Sequence, residues 1–568
     1  MIKNIILISI PFFLILLHIL NLDSDPSFIA SWGTMTDEGF WQHNARMKIL
    51  FGEFYKDDFL MAYIGAPLYN LLAYLSHNLI GISYFAARIP SVISFWFVLL
   101  MMYLILKDKF GFYPSILSTL FLGMMHEILV YVKWGTPVIL ELSFLVAIFF
   151  FYNKWLKDKN VTFLYISGIS YGLAITSKMT SVLFILPLMF FFILEYKSKR
   201  ISLNEIKIFI YGFLFLMVPF FIFFVIENFE SYISVLSTHA EWHTIQHKYD
   251  EFYFMIPYNL ISAPFNLMTF KHPSAVIIFT LAIFYFCRKT LEMLLDSKQT
   301  RIFKIDSLEN YCISWIIGLI IMLSINNQIV SRRLVQLFFP FFILAVYYIL
   351  QAPKRNQLIR MKNSLIWGPL IIFSFIISYY FSSVYYISLM DLIKNSSIEG
   401  VFVKYSRARY LFVFIFFLTF SSVVKNSKFI NLFFISTFLF INIFLNSLLY
   451  LNPTYSLKNL SLLIEKLSES ITYTADKGFW YCINNKTHPI WFRNHLGINN
   501  DLVLNIENEK IFLFQESKIS LGDKYIEQFG KKLDTNFITL VKEIKMGPIP
   551  FKNSFKETSF LYLYNPID

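Results

Sequence analysis

Apolar residues in this chain run in long unbroken blocks separated by short polar turns, with little strand-like alternation before residue 450. A bilayer needs about 20 consecutive apolar residues per helix. On that criterion the pattern predicts about thirteen membrane spans, near 5–22, 84–106, 115–131, 137–153, 161–177, 180–196, 207–226, 274–291, 311–325, 333–350, 365–389, 410–424 and 429–450. Segment 67–81 is shorter and carries Asn70, His77 and Asn78, so it reads as a helix lying on the membrane surface. Orientation supports this choice. If 67–81 does not cross, the basic loops at 107–109, 154–159, 197–200, 354–362 and 425–428 all face the cytoplasm, as the positive-inside rule requires. Two long loops, 23–83 and 227–273, then face outward, and the last span delivers the tail, 451–568, to the same side. In the tail, polar residues return and short alternating runs at 511–514 and 537–541 read as strands. The expected architecture is a polytopic all-α membrane domain, 1–450, followed by a small extracytoplasmic α+β domain, 451–568.

Composition agrees. Of 568 residues, 57% are hydrophobic and 15% charged, against about 25% charged in soluble proteins. The net charge of +12 would suggest nucleic acid in a soluble domain. Here it has a simpler source in Lys and Arg gathered in cytoplasmic loops, and no nucleic-acid partner is expected. The three cysteines, Cys287, Cys312 and Cys482, form neither a disulfide framework nor a metal-spaced set. No small-residue cleavage site precedes Asp23, so the first block is expected to be an uncleaved anchor. Richness in Lys, Asn and Ile fits an AT-rich genome and a bacterial cell membrane.

The first outward loop opens on Thr36-Asp37-Glu38-Gly39-Phe40-Trp41-Gln42-His43-Asn44-Ala45-Arg46. Adjacent carboxylates beside lipid are costly and invite a functional explanation. Further on come Ala66-Pro67-Leu68-Tyr69 and Phe85-Ala86-Ala87-Arg88-Ile89-Pro90-Ser91. This order of elements, across roughly residues 1–350, resembles the GT-C glycosyltransferases, in the branch that holds protein O-mannosyltransferases and the bacterial lipid A aminoarabinose transferase. The resemblance implies a GT-C fold. It also implies transfer of one sugar from a polyprenyl-phosphate carrier to a lipid, glycan or protein acceptor on the extracytoplasmic side, with inversion at the anomeric carbon.

Such a reaction needs a base for the acceptor hydroxyl and cations for the departing phosphate. By resemblance Asp37 is the base and Glu38 its supporting carboxylate, accepting hydrogen bonds or helping to hold a metal. The alternative for Asp37 is a cap on a helix starting near Gly39. Lys178 follows Ala174-Ile175-Thr176-Ser177 at an outward turn, and Arg333 opens Arg333-Leu334-Val335-Gln336-Leu337-Phe338-Phe339-Pro340, with Arg332 before it. These three, with Arg88 and Lys133, are the candidate phosphate ligands; contact with lipid headgroups is the other reading. The aminoarabinose transferase carries a lysine just before its Pro-Pro-Leu element, where this chain has Ala66. Where the family often reads Ser-Arg-x-x-x-x-Glu, this chain has Lys133-Trp134-Gly135-Thr136-Pro137, with Glu141 set back inside the following span. Lys133 then stands in for the arginine.

In the second long loop His239, His243 and His247 recur at every fourth position and share one helical face. That spacing suits a divalent metal ion or a sugar phosphate, and histidines also serve at membrane interfaces. No glycine-rich phosphate loop is present, in keeping with a lipid rather than a nucleotide donor. A transporter or flippase of lipid-linked sugars is the rival reading, against which stands the lack of an internal repeat.

Overall fold

Helix starts along the chain follow local capping. Ser83, Asn160 and Ser202 accept from the backbone N–H groups of Ala86, Thr162 and Glu205, and Glu205 returns the bond to Ser202 N, completing a capping box. The computed structural model describes residues 2–24, 35–54, 60–233, 305–324 and 331–350. It also describes the strand segments 472–474, 487–489, 511–515, 538–545 and 558–564, and scattered helical positions within 237–289 and 435–466. The helices are α1 (Ile2–Ile19), α2 (Met35–Phe51), α3 (Leu60–Gly65), α4 (Pro67–Ile80), α5 (Tyr84–Phe110), α6 (Phe112–Met124), α7 (His126–Val132), α8 (Val138–Asp158) and α9 (Val161–Ser177). A 3₁₀ turn (Met179–Phe184) leads into α10 (Ile185–Lys197), and α11 (Leu203–Phe220) ends in a π turn (Phe221–Val225). Then come α12 (Ser307–Ser324) and α13 (Ser331–Leu350).

Among the described residues, four helical units are long and apolar enough to cross a bilayer: Tyr84–Phe110, Val138–Asp158, Met179–Lys197 and Leu203–Val225. A fifth is the pair α6–α7, which corrects the straight span expected at 115–131: the chain bends by 64° at Met125. The last helical stretch fills this break. Asn442 Oδ1 accepts from His126 N at 2.7 Å, while Asn446 Nδ2 donates to Met124 O at 2.7 Å and its Oδ1 meets His126 Nδ1 at 2.9 Å. The groups freed by the bend are thereby satisfied, as a buried backbone requires. The predicted spans at 365–389 and 410–424 lie outside the described residues, and those at 274–291 and 429–450 partly so.

Helices α9 and α11 cross backbone to backbone. A Cβ at Gly168 would collide with Phe209 O, and one at Gly212 with Tyr165 O, the small-residue contact through which apolar helices approach closely.

Polar contacts sort the chain into two ends. At one end Lys109 pairs with Asp306 and donates to Tyr347 Oη, Lys157 pairs with Asp108, and Arg200 reaches Ile305 O. This end gathers the predicted cytoplasmic loops at 107–109, 154–159 and 197–200; those at 354–362 and 425–428 lie outside the described residues. Its centre is the buried Glu195, which accepts from Tyr152 (2.8 Å), Arg200 (2.8 Å), Ser307 (2.6 Å) and Asn310 (2.6 Å). The other end holds the acidic motif and, through Tyr455–Asn21 (3.3 Å) and Lys458–Asp23 (2.7 Å), the start of the tail. Helix α4 belongs wholly to this second end, because Tyr69 near its start and His77 near its finish both bond Gln42.

Strands β1 (Thr472–Thr474), β2 (Thr487–Pro489), β3 (Ile511–Gln515), β4 (Ile538–Lys545) and β5 (Thr558–Tyr564) form one sheet in the order β2-β1-β3-β5-β4. β1 runs parallel to β2 and β3, and β5 antiparallel to β3 and β4. The two predicted strand runs fall on β3 and β4.

Candidate active site

Helix α2 carries the acidic motif and begins at Met35, earlier than the start near Gly39 expected from sequence. Asp37 therefore lies in the first helical turn instead of at a cap. Carboxylates are favoured there by the helix dipole. One residue on, Glu38 is buried, 2% exposed. Its Oε1 accepts from Arg88 Nε (2.6 Å) and from Gly135 N (2.7 Å), and its Oε2 accepts from Arg88 Nη2 (2.8 Å). Arg88, 1% exposed, spends its remaining nitrogen on Leu22 O (2.7 Å) and Ser24 O (2.5 Å). Each nitrogen of the guanidinium thus faces a protein acceptor. In this arrangement the planar fork of Arg88 is matched bidentately to a carboxylate and pins the acidic motif to the turn that follows α1.

Gln42 lies one helical turn beyond Glu38 and extends the frame. Its Nε2 donates to Tyr69 Oη (2.6 Å) and Gly135 O (2.9 Å) and lies 3.2 Å from Ala87 O, and its Oε1 faces His77 Nε2 (3.1 Å). Burial lowers His77 to about 4, so the neutral ring donates to Gln42. Burial, and then the charge of Glu38, raise Tyr69 well above the ordinary phenol range, which keeps the hydroxyl intact. Gly135 sits where these groups meet. A Cβ there would lie 3.0 Å from Ala87 O, Gln42 Nε2 and Glu38 Oε1, so only glycine presents its N–H to Glu38 without pushing the frame apart. Gln42, Tyr69, His77 and Gly135 were not singled out by sequence; the i, i+4 spacing of Glu38 and Gln42 was the signal available.

Lys133 ends α7 and donates to Leu20 O. Burial, reinforced by the charge of Arg88, lowers its ammonium to about 7. Lys178 occupies the break between α9 and the 3₁₀ turn, in extended backbone. Its Nζ pairs with the buried Glu141 Oε2 at 3.2 Å, so the side chain turns into the protein instead of out to headgroups. The next residue, Met179, packs in one cluster with Phe40, Ile64, Tyr63, Phe224 and Tyr232. Phe40 lies one turn beyond Asp37, so Lys178 and the acidic motif share a neighbourhood. Arg332 and Arg333 stand in the first turn of α13. Tyr347, in the last turn of that helix, bonds Lys109 on the basic end, so the helix start belongs to the end that holds the acidic motif. His239 and His243 lie outside the described residues. Among the described residues no cluster of His, Cys, Asp or Glu could hold a metal ion.

Comparison with known proteins bears on the fold. Residues 65–225 match the model of the dolichyl-phosphate-mannose-protein mannosyltransferase family. The match takes in Arg88, Lys133, Glu141 and Lys178, and starts after Asp37 and Glu38. The whole chain superposes on the crystal structure of ArnT from Cupriavidus metallidurans bound to undecaprenyl phosphate, with a TM-score of 0.58 and 13% identity over 98% of each chain. For the apo state of that protein the TM-score is 0.56, with 12% identity over 99% of this chain and 98% of the other. No curated protein sequence matches the chain. The chain is a multi-pass membrane protein with the fold of the GT-C glycosyltransferases.

Proposed function

We propose that the chain is a membrane glycosyltransferase that moves a single sugar from a polyprenyl-phosphate carrier to a hydroxyl of a lipid, glycan or protein acceptor. The observation that carries this reading is the gathering of the acidic motif, Lys133 and Lys178 at one end of a GT-C bundle, linked through Gly135 and the first turn of α8. That end is read as extracytoplasmic, because the opposite end collects the basic loops. Asp37 takes the acceptor proton as the acceptor oxygen attacks the anomeric carbon. The bond from that carbon to the phosphate oxygen breaks, and the polyprenyl phosphate leaves with the electron pair. Lys178, Lys133, Arg332 and Arg333 stabilise the charge that develops on it. Attack opposite the leaving group inverts the anomeric centre. Glu38 serves by holding Asp37's turn in place through Arg88. The expected carrier chemistry is supported by the undecaprenyl phosphate bound to ArnT. A transporter would have to open the opposite end and break the four donors off Glu195, one of them charged; this weighs against that reading.

Asp37→Asn is the test. Asn is uncharged and cannot take the proton. General-base catalysis contributes about 10²–10⁴-fold, so the purified variant should insert and bind a synthetic prenyl-phosphate sugar yet transfer at least about 100-fold more slowly. An active Asp37→Asn protein would end the base assignment, and a wild type that moves intact lipid-linked sugar without breaking the glycosidic bond would establish the transporter.

A further inference from the structure

We infer that Glu141 is a positioning residue: its carboxylate sets where the Lys178 ammonium stands at the phosphate end of the site. This rests on the transferase reading. A lysine is a point charge on a flexible four-carbon stem, so an unrestrained Lys178 would spread its charge over many positions. Glu141 removes that freedom. It sits in the first turn of α8, its own N–H bonded to Pro137 O at 2.9 Å. Its side chain is buried and held at both oxygens: Oε1 accepts from Ser181 Oγ at 2.5 Å, and Oε2 meets Lys178 Nζ at 3.2 Å. Ser181 is itself tied back, its N–H donating to Lys178 O at 2.9 Å. Lys178, Glu141 and Ser181 therefore close a ring that joins the break after α9 to the first turn of α8.

The ammonium is not consumed by this ring. It has three N–H donors, and among the described residues Glu141 is its one acceptor, with the Lys178 side chain still 14% exposed. Two donors remain for an oxyanion. The arrangement also differs from that of Glu38 and Arg88, where every nitrogen of the cation is taken up by protein. One ion pair is built to hold the frame and the other to hold a charge ready.

The experiment is a double-mutant cycle on the full-length protein in detergent, comparing wild type, Glu141→Gln, Lys178→Ala and the double variant. Two readouts are taken: turnover of a synthetic prenyl-phosphate sugar, and affinity for the corresponding polyprenyl monophosphate without acceptor. Residues in direct contact show coupling. Glu141→Gln should lower kcat about tenfold when Lys178 is present and change it less than about twofold when Lys178 is already alanine. If Glu141→Gln does not fold, Ser181→Ala, which removes only the hydroxyl holding Oε1, should show the same Lys178-dependent loss. Equal losses in both backgrounds would overturn the inference, since Glu141 would then act by itself. If wild type transfers no sugar, the transferase reading fails first. The same cycle is then read from polyprenyl monophosphate affinity, where independence of the two residues overturns the positioning role and coupling retains it.

Discussion

Three N–H groups converge on Glu38, two from Arg88 and one from the Gly135 backbone, and all of them are buried. Removing one partner of a buried ion pair leaves a charge without compensation and typically costs about 3–5 kcal/mol. Arg88→Ala should therefore lower stability by about that amount, read as a fall in the thermal midpoint of the detergent-purified protein. Arg88→Lys should rescue little, because a point charge cannot bridge both carboxylate oxygens and also reach Leu22 O and Ser24 O. A stable Arg88→Ala protein that had lost only phosphate affinity would return Arg88 to the ligand set. Lys133 makes a prediction in pH. Its folded value is about 7, against an ordinary value of about 10.4. Between those limits the unfolded chain holds a proton that the folded site has released, so stability rises with pH across that window. Donor binding runs the other way. A phosphodiester keeps its negative charge over this range and needs the ammonium, so affinity for a prenyl-phosphate sugar should weaken as pH rises through about 7. Lys133→Arg, always charged, should flatten that profile, and an unchanged profile would remove Lys133 from the phosphate end.

Between helices, two devices stand out. Gly168 and Gly212 let α9 and α11 touch along their backbones. Gly212→Val would drive a branched side chain into Tyr165 O and must separate the helices; overpacking of this kind costs about 1–3 kcal/mol or more. The expected result is a protein that loses thermal stability while Asp37 and Lys178 stay chemically intact. The break between α6 and α7 depends on Asn446, which satisfies both Met124 O and His126 Nδ1. An unsatisfied buried polar group costs about 1–3 kcal/mol, so Asn446→Leu should destabilise more than an apolar substitution elsewhere in that helix. Equal thermal midpoints for the two would count against the bond accounting.

At the scale of the molecule, the ends of the bundle are chemically distinct. One pairs Lys109 with Asp306, Lys157 with Asp108 and Arg200 with Glu195; the other gathers the acidic motif, the lysines of the site and the root of the tail. Cysteines introduced at residues 157 and 53, both exposed, test the orientation. A membrane-impermeant thiol reagent added outside intact cells should modify position 53 and spare position 157. Modification at 157 from outside would invert the bundle and, with it, the side on which sugar transfer is proposed.

Local rules carried much of this from the sequence. Long apolar blocks marked Tyr84–Phe110, Val138–Asp158, Met179–Lys197 and Leu203–Val225 as membrane-length helices, because only an internally bonded helix survives in lipid. Ser202 with Glu205, three residues apart, marks a helix start, because a capping box needs only local bonds. The elements that resemble the family pointed to Asp37, Glu38, Lys133 and Lys178; what links two of them in the fold is Gly135 bonding Glu38 and Met179, next to Lys178, packing beside Phe40. What stayed illegible depends on partners far apart in the chain. Glu38 meets Arg88 50 residues later and Gly135 97 residues later, and Lys178 meets Glu141 across 37 residues. Sequence could name Arg88 as a cation but could not say that a carboxylate had already claimed it. It placed Glu141 inside a span without showing the lysine above. Composition and periodicity report what a segment prefers to be, whereas the partner of a charge is settled only when helices pack and decide which buried groups must satisfy one another.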